Sequence, residues 1–275
     1  MAKSQILVVG GGIGGLTFAA AAACRGLHAE VVERMPSVST GAGGIGLHLN
    51  AQRALASIGL ADAVRSVAVD MDAYYRLLPD GTEVVAQPLT AVWGSPTWAV
   101  HRADLNAALR TGVPPDRLAL GKAVAILKRH GSGVVVQFSD GSEREFALVV
   151  AADGVRSFVR ASTLGDGFVR YGGACFWRTT LPKCIVRKAT ACLFGSDSVG
   201  LIPLFGDRTH LFISTRIDEP FTDPVAGRVD RLRHRLERGG ALVDQALELL
   251  GDDHGCTSGG LNGWNRRLGV QGAWS

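Results

Sequence analysis

Apolar and polar positions fall into three kinds of segment along the chain. Residues 6–9 (Ile-Leu-Val-Val) are an uninterrupted apolar run, the pattern of a strand buried on both faces. Residues 16–24 are rich in alanine and favour a helix, with Gly26 as its stop. Residues 29–33 (Ala-Glu-Val-Val-Glu) read as a second strand. Strand, glycine turn, helix, strand is the opening of a βαβ unit and predicts an α/β fold with a parallel sheet. Farther along, hairpins are expected for 72–78 with 82–87 around Pro79-Asp80-Gly81, and for 134–138 with 143–146. Strands are expected at 174–180, 190–194, 199–205 and 209–215, the last alternating as a sheet with one buried face should. From 224 to 250 the pattern is helical, with Val229, Leu232, Leu236 and Leu242 among its apolar positions. A further helix is expected over 51–58, capped by Asn50 and ended by Gly59.

The first turn carries chemistry. Gly10-x-Gly12-x-x-Gly15 has the spacing of a dinucleotide fingerprint. Gly10 permits the tight turn, Gly12 lets backbone approach a pyrophosphate, and Gly15 lets the helix pack closely on the strand. Ile13 and Gly14 lie between them at the helix start, where free N–H groups and the positive dipole end face the phosphates. Glu33 closes the second strand, where an acid accepts hydrogen bonds from ribose hydroxyls; Arg34 follows it. An acid there disfavours a 2′-phosphate, so FAD or NAD is expected rather than NADP. The fingerprint does not separate FAD from NAD.

Composition narrows the class. The chain has 275 residues, 47% hydrophobic and 20% charged, which suits a globular protein with a sizeable core. The net charge of +4 is spread along the chain, so no nucleic-acid partner is expected. Five cysteines without a Cys-x-x-Cys indicate neither a disulfide framework nor a metal site, and point to reduced thiols in the cytoplasm. The glycines interrupt the N-terminal apolar run, so neither a secretory signal nor a membrane span is expected.

Four further stretches carry a resemblance. Residues 40–55 are a second glycine-rich segment running into the helix expected at 51–58. His101-Arg102-Ala103-Asp104-Leu105, Gly121-Lys122-Ala123-Val124 and Leu148-Val149-Val150-Ala151-Ala152-Asp153-Gly154 follow in order. Together with the fingerprint they resemble the FAD-dependent aromatic hydroxylases, the group A flavoprotein monooxygenases related to p-hydroxybenzoate hydroxylase. The match is dense from residue 6 to about 160 and looser over 170–250.

The resemblance implies a Rossmann-like FAD-binding domain of the GR2 type with a β-sheet-rich substrate domain. The FAD-binding domain is expected at 1–165, with a small hairpin insertion near 72–98, the substrate domain at 166–255, and a truncated or irregular tail at 256–275. It implies that Gly46 lies beside the flavin ring, that Arg102 reaches toward the cofactor, that the backbone at Val124 meets its adenine end, and that Asp153 contributes to binding. It also implies the chemistry: NADH or NADPH reduces FAD, and O₂ then yields a flavin C4a-hydroperoxide that hydroxylates a small aromatic substrate. No catalytic side chain is identified. His48 and Arg178 are the candidates to face substrate, each with a structural or surface role as the commoner alternative. Relatives continue into a buried strand, a Gly-Asp-Ala-x-His motif and a long helix. Gly251-Asp252-Asp253-His254 resembles that motif only superficially, since it follows a helical pattern. A C-terminally truncated chain is therefore expected. Two alternatives stay open: a catalytically impaired flavoprotein remnant, and an NAD-linked dehydrogenase using the same fingerprint.

Overall fold

The computed structural model describes residues 5–37, 43–78, 80–84, 87–165, 169–194, 196–219, 222–251 and 257–264. Residues 40–42 of the second glycine-rich segment, 252–254 of the Gly-Asp-Asp-His stretch, and 265–275 lie outside them.

The chain opens with β1 (Ile6–Val9), α1 (Ile13–Ala23) and β2 (Ala29–Glu33), then β3 (Gly44–Leu47), α2 (Leu49–Ser57) and α3 (Ala61–Arg65). Next come β4 (Ala68–Met71), β5 (Ala73–Leu77), β6 (Gln87–Pro88), α4 (Leu89–Trp93), β7 (Thr97–His101) and α5 (Arg102–Arg110). They lead to β8 (Leu118–Leu120), β9 (Val124–His130), β10 (Gly133–Phe138), β11 (Glu143–Phe146), β12 (Leu148–Ala151) and α6 (Phe158–Leu164). The remainder is β13 (Val169–Leu181), β14 (Ala189–Phe194), β15 (Asp197–Leu204), β16 (Arg208–Arg216), α7 (Arg228–Leu236), α8 (Ala241–Glu248) and β17 (Thr257–Trp264).

A parallel sheet of order β12-β1-β2-β8 forms the first layer system. All four residues of β1 are buried, as its apolar run requires. Val8 and Val31 face a core shared with Leu16, Ala19, Ala20, Leu105 and Leu109 of α1 and α5. Leu7, Val9 and Val32 face the other way, against Val136, Phe138 and Phe146 of the three-stranded sheet β11-β10-β9. Both hairpins expected from sequence form, and the sheet is covered on both faces, as parallel sheets are.

The second system is a seven-stranded sheet of order β17-β13-β16-β15-β14-β5-β6. One face buries Trp177, Val199, Leu201, Leu211 and Ile213 against Val229, Leu232, Leu236, Val243 and Leu247 of α7 and α8. A small sheet, β3-β7-β4, joins the two: Leu47 and Val100 pack in the first core, and Met71 and Ala99 pack with Ala189 and Leu204 of the seven-stranded sheet. Among the described residues no helix is long and apolar enough to cross a membrane.

Four details differ from the sequence-based expectation. The 51–58 helix starts at Leu49, with His48 rather than Asn50 before it. Gln52 supplies the anchor, its Nε2 donating to the carbonyls of Leu47 (2.9 Å) and Pro96 (2.7 Å). The helical stretch 224–250 is two helices, because Gly240 takes φ +84° between them. The hairpin expected as an insertion in the cofactor domain pairs β5 parallel to β14 and so extends the seven-stranded sheet. The tail expected to be irregular from 256 contains β17, paired antiparallel to β13; it fills the open edge of that long strand, and its glycines hide any strand periodicity.

Candidate functional site

Two cavities bring together six of the residues singled out by sequence: Gly10, Glu33, Arg34, Val124 and Asp153 in one and Gly46 in the other. The first, about 460 Å³ of space open to solvent, lies at the carboxyl ends of β1 and β2. Val9, Gly10, Glu33, Arg34, Val124 and Asp153 line it, with Lys122, Arg156 and Phe158. Open α/β sheets bind ligands at this end of their strands.

The glycine turn is built for close approach. Gly10 has φ +111°, and a Cβ on it would lie 2.4 Å from the Ala152 carbonyl oxygen. By contrast, a Cβ on Gly12 or Gly14 would meet nothing within 4 Å, so both border open space. The first turn of α1 has no acidic residue and its N-cap, Gly12, has no side chain, so the positive end of the helix is not neutralised from within.

Glu33 does more than the sequence suggested. Its Oε2 accepts from the Gly11 N–H (2.7 Å) and its Oε1 from the Met35 N–H (2.9 Å), so the carboxylate clamps the turn while keeping lone pairs for a ligand. On the far strand, Asp153 Oδ2 accepts from the Val159 N–H (3.1 Å), whereas its Oδ1 is buried without a partner among the described residues. A buried carboxylate oxygen left that way is an acceptor open to a water or a ligand donor. A bare turn, a helix start with no acid in its first turn, a carboxylate lining the cleft and an unfilled acceptor are a donor and acceptor set that suits a dinucleotide.

The second cavity, about 720 Å³ including its mouth, lies between the small sheet and the open face of the seven-stranded sheet. Gly44, Ile45 and Gly46 form one wall, and Met71, Tyr74, Gly200, Ile202, His210 and Phe212 are among the others. Gly46 thus sits apart from the first cavity. Arg102 opens α5 and its N–H donates to the Gly43 carbonyl (3.0 Å), tying that helix to the second glycine segment. Arg178 lies over the Phe176 ring, 5.0 Å from its centroid. Its Cδ is 3.5 Å from where a Cβ of Gly43 would stand. Burial and the neighbouring Arg102 charge both push its pKa down. His48 is not among the residues lining either cavity: it stacks on Trp93 (4.7 Å between ring centroids) and its Nδ1 meets Thr97 Oγ1 at 2.8 Å.

Sequence reasoning missed Tyr74 of β5 and His210 and Phe212 of β16, two strands far apart in sequence that carry no local motif. Burial raises the Tyr74 pKa, keeping its phenol protonated. His210 is buried, and its pKa is pushed down to about 4, first by desolvation and then by the Arg178, His101 and Arg102 charges, against the pull of the Thr179 carbonyl. Its Nδ1 lies 3.2 Å from that carbonyl and must donate to it, which leaves Nε2 of the neutral ring as an acceptor.

That depression has a measurable consequence. Between pH 6.5 and about 4 the unfolded chain binds a proton at His210 that the folded chain does not, so stability falls as pH falls through this window, by at most about 3 kcal/mol. Thermal unfolding compared at about pH 7 and about pH 5 is expected to show this slope, reduced in His210→Leu.

Fold and cleft together define a GR2-type FAD-binding α/β protein. Residues 3–169 match the family model described as FAD binding domain, and the chain belongs to that family. It is similar to aurachin C monooxygenase/isomerase of Stigmatella aurantiaca (31% identical, 88% of this chain and 65% of that protein). It is also similar to 3-amino-4-hydroxybenzoate 2-monooxygenase of Streptomyces cremeus (35% identical, 82% of this chain and 60% of that protein). The chain therefore spans less than two thirds of the length of either relative. In fold it resembles Klebsiella pneumoniae HpxO, solved with FAD and uric acid, with TM-score 0.85 at 22% identity over 95% of this chain and 68% of that one.

Proposed function

We propose that this chain is the cofactor- and substrate-holding part of an FAD-dependent monooxygenase that hydroxylates a small aromatic compound with NADH or NADPH and O₂. The observation that carries the reading is the convergence of Gly10, Glu33, Arg34, Val124 and Asp153, from four separate stretches of sequence, on one cleft at the ends of parallel strands. FAD supplies the redox and oxygen chemistry when bound. The chain's own residues bind and orient it: the turn Gly10–Gly15 and the start of α1 receive the pyrophosphate, Glu33 and Arg34 the ribose side, the backbone at Val124 the adenine end, and Asp153 Oδ1 accepts from a cofactor hydroxyl. Gly46 and Arg102 stand toward the flavin ring. The second cavity receives the aromatic ring, keeps water from it with Met71, Ile202 and Phe212, and offers Tyr74 as donor and His210 Nε2 as acceptor to its polar groups.

We keep the cofactor-binding part at 1–165 and the substrate part at 166–255, with β5 and β17 joining the latter's sheet. Free Cys24, Cys175, Cys184 and Cys192 accord with a cytoplasmic protein. The monooxygenase names of both relatives favour this reading over a dehydrogenase.

The purified chain is expected to carry, or to take up, FAD with its visible flavin spectrum, and to oxidise NADH or NADPH faster when 3-amino-4-hydroxybenzoate or a related ring is added. A preparation that stays colourless with added FAD defeats the reading. For the cleft itself, Glu33→Ala is expected to weaken FAD binding by roughly tenfold or more, the scale of a hydrogen bond to a charged group. Glu33→Gln, which keeps an acceptor for the Gly11 N–H, is expected to lose less. An unchanged dissociation constant in the alanine variant, measured by flavin fluorescence titration, contradicts the ribose assignment.

A further inference from the structure

Glycine inside a strand weakens it, and is kept where a backbone or a ligand must come close. Gly44 and Gly46 have reasons within the protein: a Cβ would stand 3.2 Å from the His210 ring atoms at the first and 3.2 Å from Thr97 Cγ2 at the second. Gly200 has none. It lies inside β15, in the middle of the seven-stranded sheet, with no positive φ, and a Cβ there would meet only the Phe212 carbonyl oxygen at 3.7 Å and the Phe212 Cβ at 3.9 Å, both ordinary contacts. A methyl group fits, and a β-branched residue would suit the strand better.

Its neighbours across the sheet explain what the space is for. Strand register aligns Arg76, Ala191, Gly200, Phe212 and Arg178 in one row across β5, β14, β15, β16 and β13. The two smallest members, Ala191 and Gly200, stand side by side and both line the second cavity. With strands about 4.8 Å apart, two small neighbours leave a trough close to the width of one ring. Phe212 bounds it on one side, and Tyr74 and His210 fall in the adjoining row with Ala189 and Ile202. Facing it across the cavity are Ile45 and Gly46.

We propose that Gly200, with Ala191, is the shelf on which the flat face of the substrate ring lies, and that these two positions set how bulky that ring can be. This rests on the monooxygenase reading and narrows its substrate class: a planar aromatic, unsubstituted on the face toward β15, carrying a hydroxyl or carbonyl group within reach of Tyr74 and His210.

The test uses the full chain with phenol and 3-amino-4-hydroxybenzoate as probes, their uptake measured by equilibrium dialysis and flavin content by absorbance on the same preparation. Wild type is expected to take up at least one probe. Gly200→Val is expected to lose at least tenfold in affinity for it, with flavin content unchanged and Tm unchanged or raised. Ala191→Leu, filling the trough from the next strand, is expected to do the same. Uptake undiminished in both variants, or no uptake of either probe by wild type, overturns the shelf. So does a Gly200→Val protein that loses Tm and flavin together, since the glycine then serves the fold. Chain that stays colourless yet binds a probe in wild type and not in Gly200→Val upholds the shelf while defeating the flavoprotein reading.

Discussion

Gly15→Ala is expected to lower FAD affinity at least a hundredfold and to lower the Tm as well. A Cβ at this position would stand 1.9 Å from the Gly10 carbonyl oxygen, 3.1 Å from its carbon and 3.2 Å from Val8 Cγ1. The first two are backbone atoms of the turn, so no side-chain rotation relieves the clash. Helix α1 would have to move off β1, yet Leu16, Ala19 and Ala20 pack it there in a close-packed core that resists such shifts. The glycine turn and the helix start, the proposed seat of the pyrophosphate, would move together. Gly14→Ala is the control. Its Cβ meets nothing within 4 Å, and alanine exceeds glycine in helix propensity by about 1 kcal/mol, so the cofactor-free chain should gain stability. If the pyrophosphate occupies that open space, the same variant binds FAD less well. Titration and thermal unfolding of both variants check this; wild-type affinity in Gly15→Ala would refute the role given to the turn.

Asp223→Ala is expected to destabilise the protein by about 3–5 kcal/mol, the loss found when one partner of a buried ion pair is removed. The Asp223 and Arg228 side chains are only 6% and 7% exposed, and they form an ion pair. Asp223 also accepts from Arg231 Nη2 (2.9 Å) and from Trp177 Nε1 (2.9 Å). Burial alone would raise its pKa; the bonds from Arg231, Trp177 and Arg228 outweigh it and hold the carboxyl below its usual range. Removing the carboxylate leaves the Arg228 charge buried without this partner. For a chain of this size the Tm should fall by roughly 10 °C. Function is coupled to this, because Trp177 sits between Phe176 and Arg178 on β13 and faces α7 while they face the cavity side. Asp223→Asn, which keeps an acceptor for the Trp177 N–H, should lose less. A Tm within a degree or two of wild type in the alanine variant would show that this network does not hold the sheet to its helices.

Much of the cofactor cleft was legible in the sequence because its demands are local. Gly10 must reach a positive φ, Gly15 must lack a side chain, and Glu33 must end the strand that follows; each requirement falls on one residue at a fixed spacing from the next. Asp153 and Val124 needed a resemblance to be noticed, since β12 pairs with β1 across more than a hundred residues. The helix start at Leu49 was misplaced because a side chain, Gln52, anchors it through a carbonyl of residue 96 that no local pattern reveals.

The chain's own order of residues thus determined the βαβ opening, the glycine turn and the acid beside it, since backbone conformation and hydrophobic periodicity act over a few residues. Tertiary structure alone decided the second cavity. Tyr74, Ala191, Gly200, His210 and Phe212 meet only because strand register sets them in adjoining rows of one sheet. Register depends on burying one whole face against α7 and α8, a condition spread over nearly two hundred residues and written in no single stretch of them.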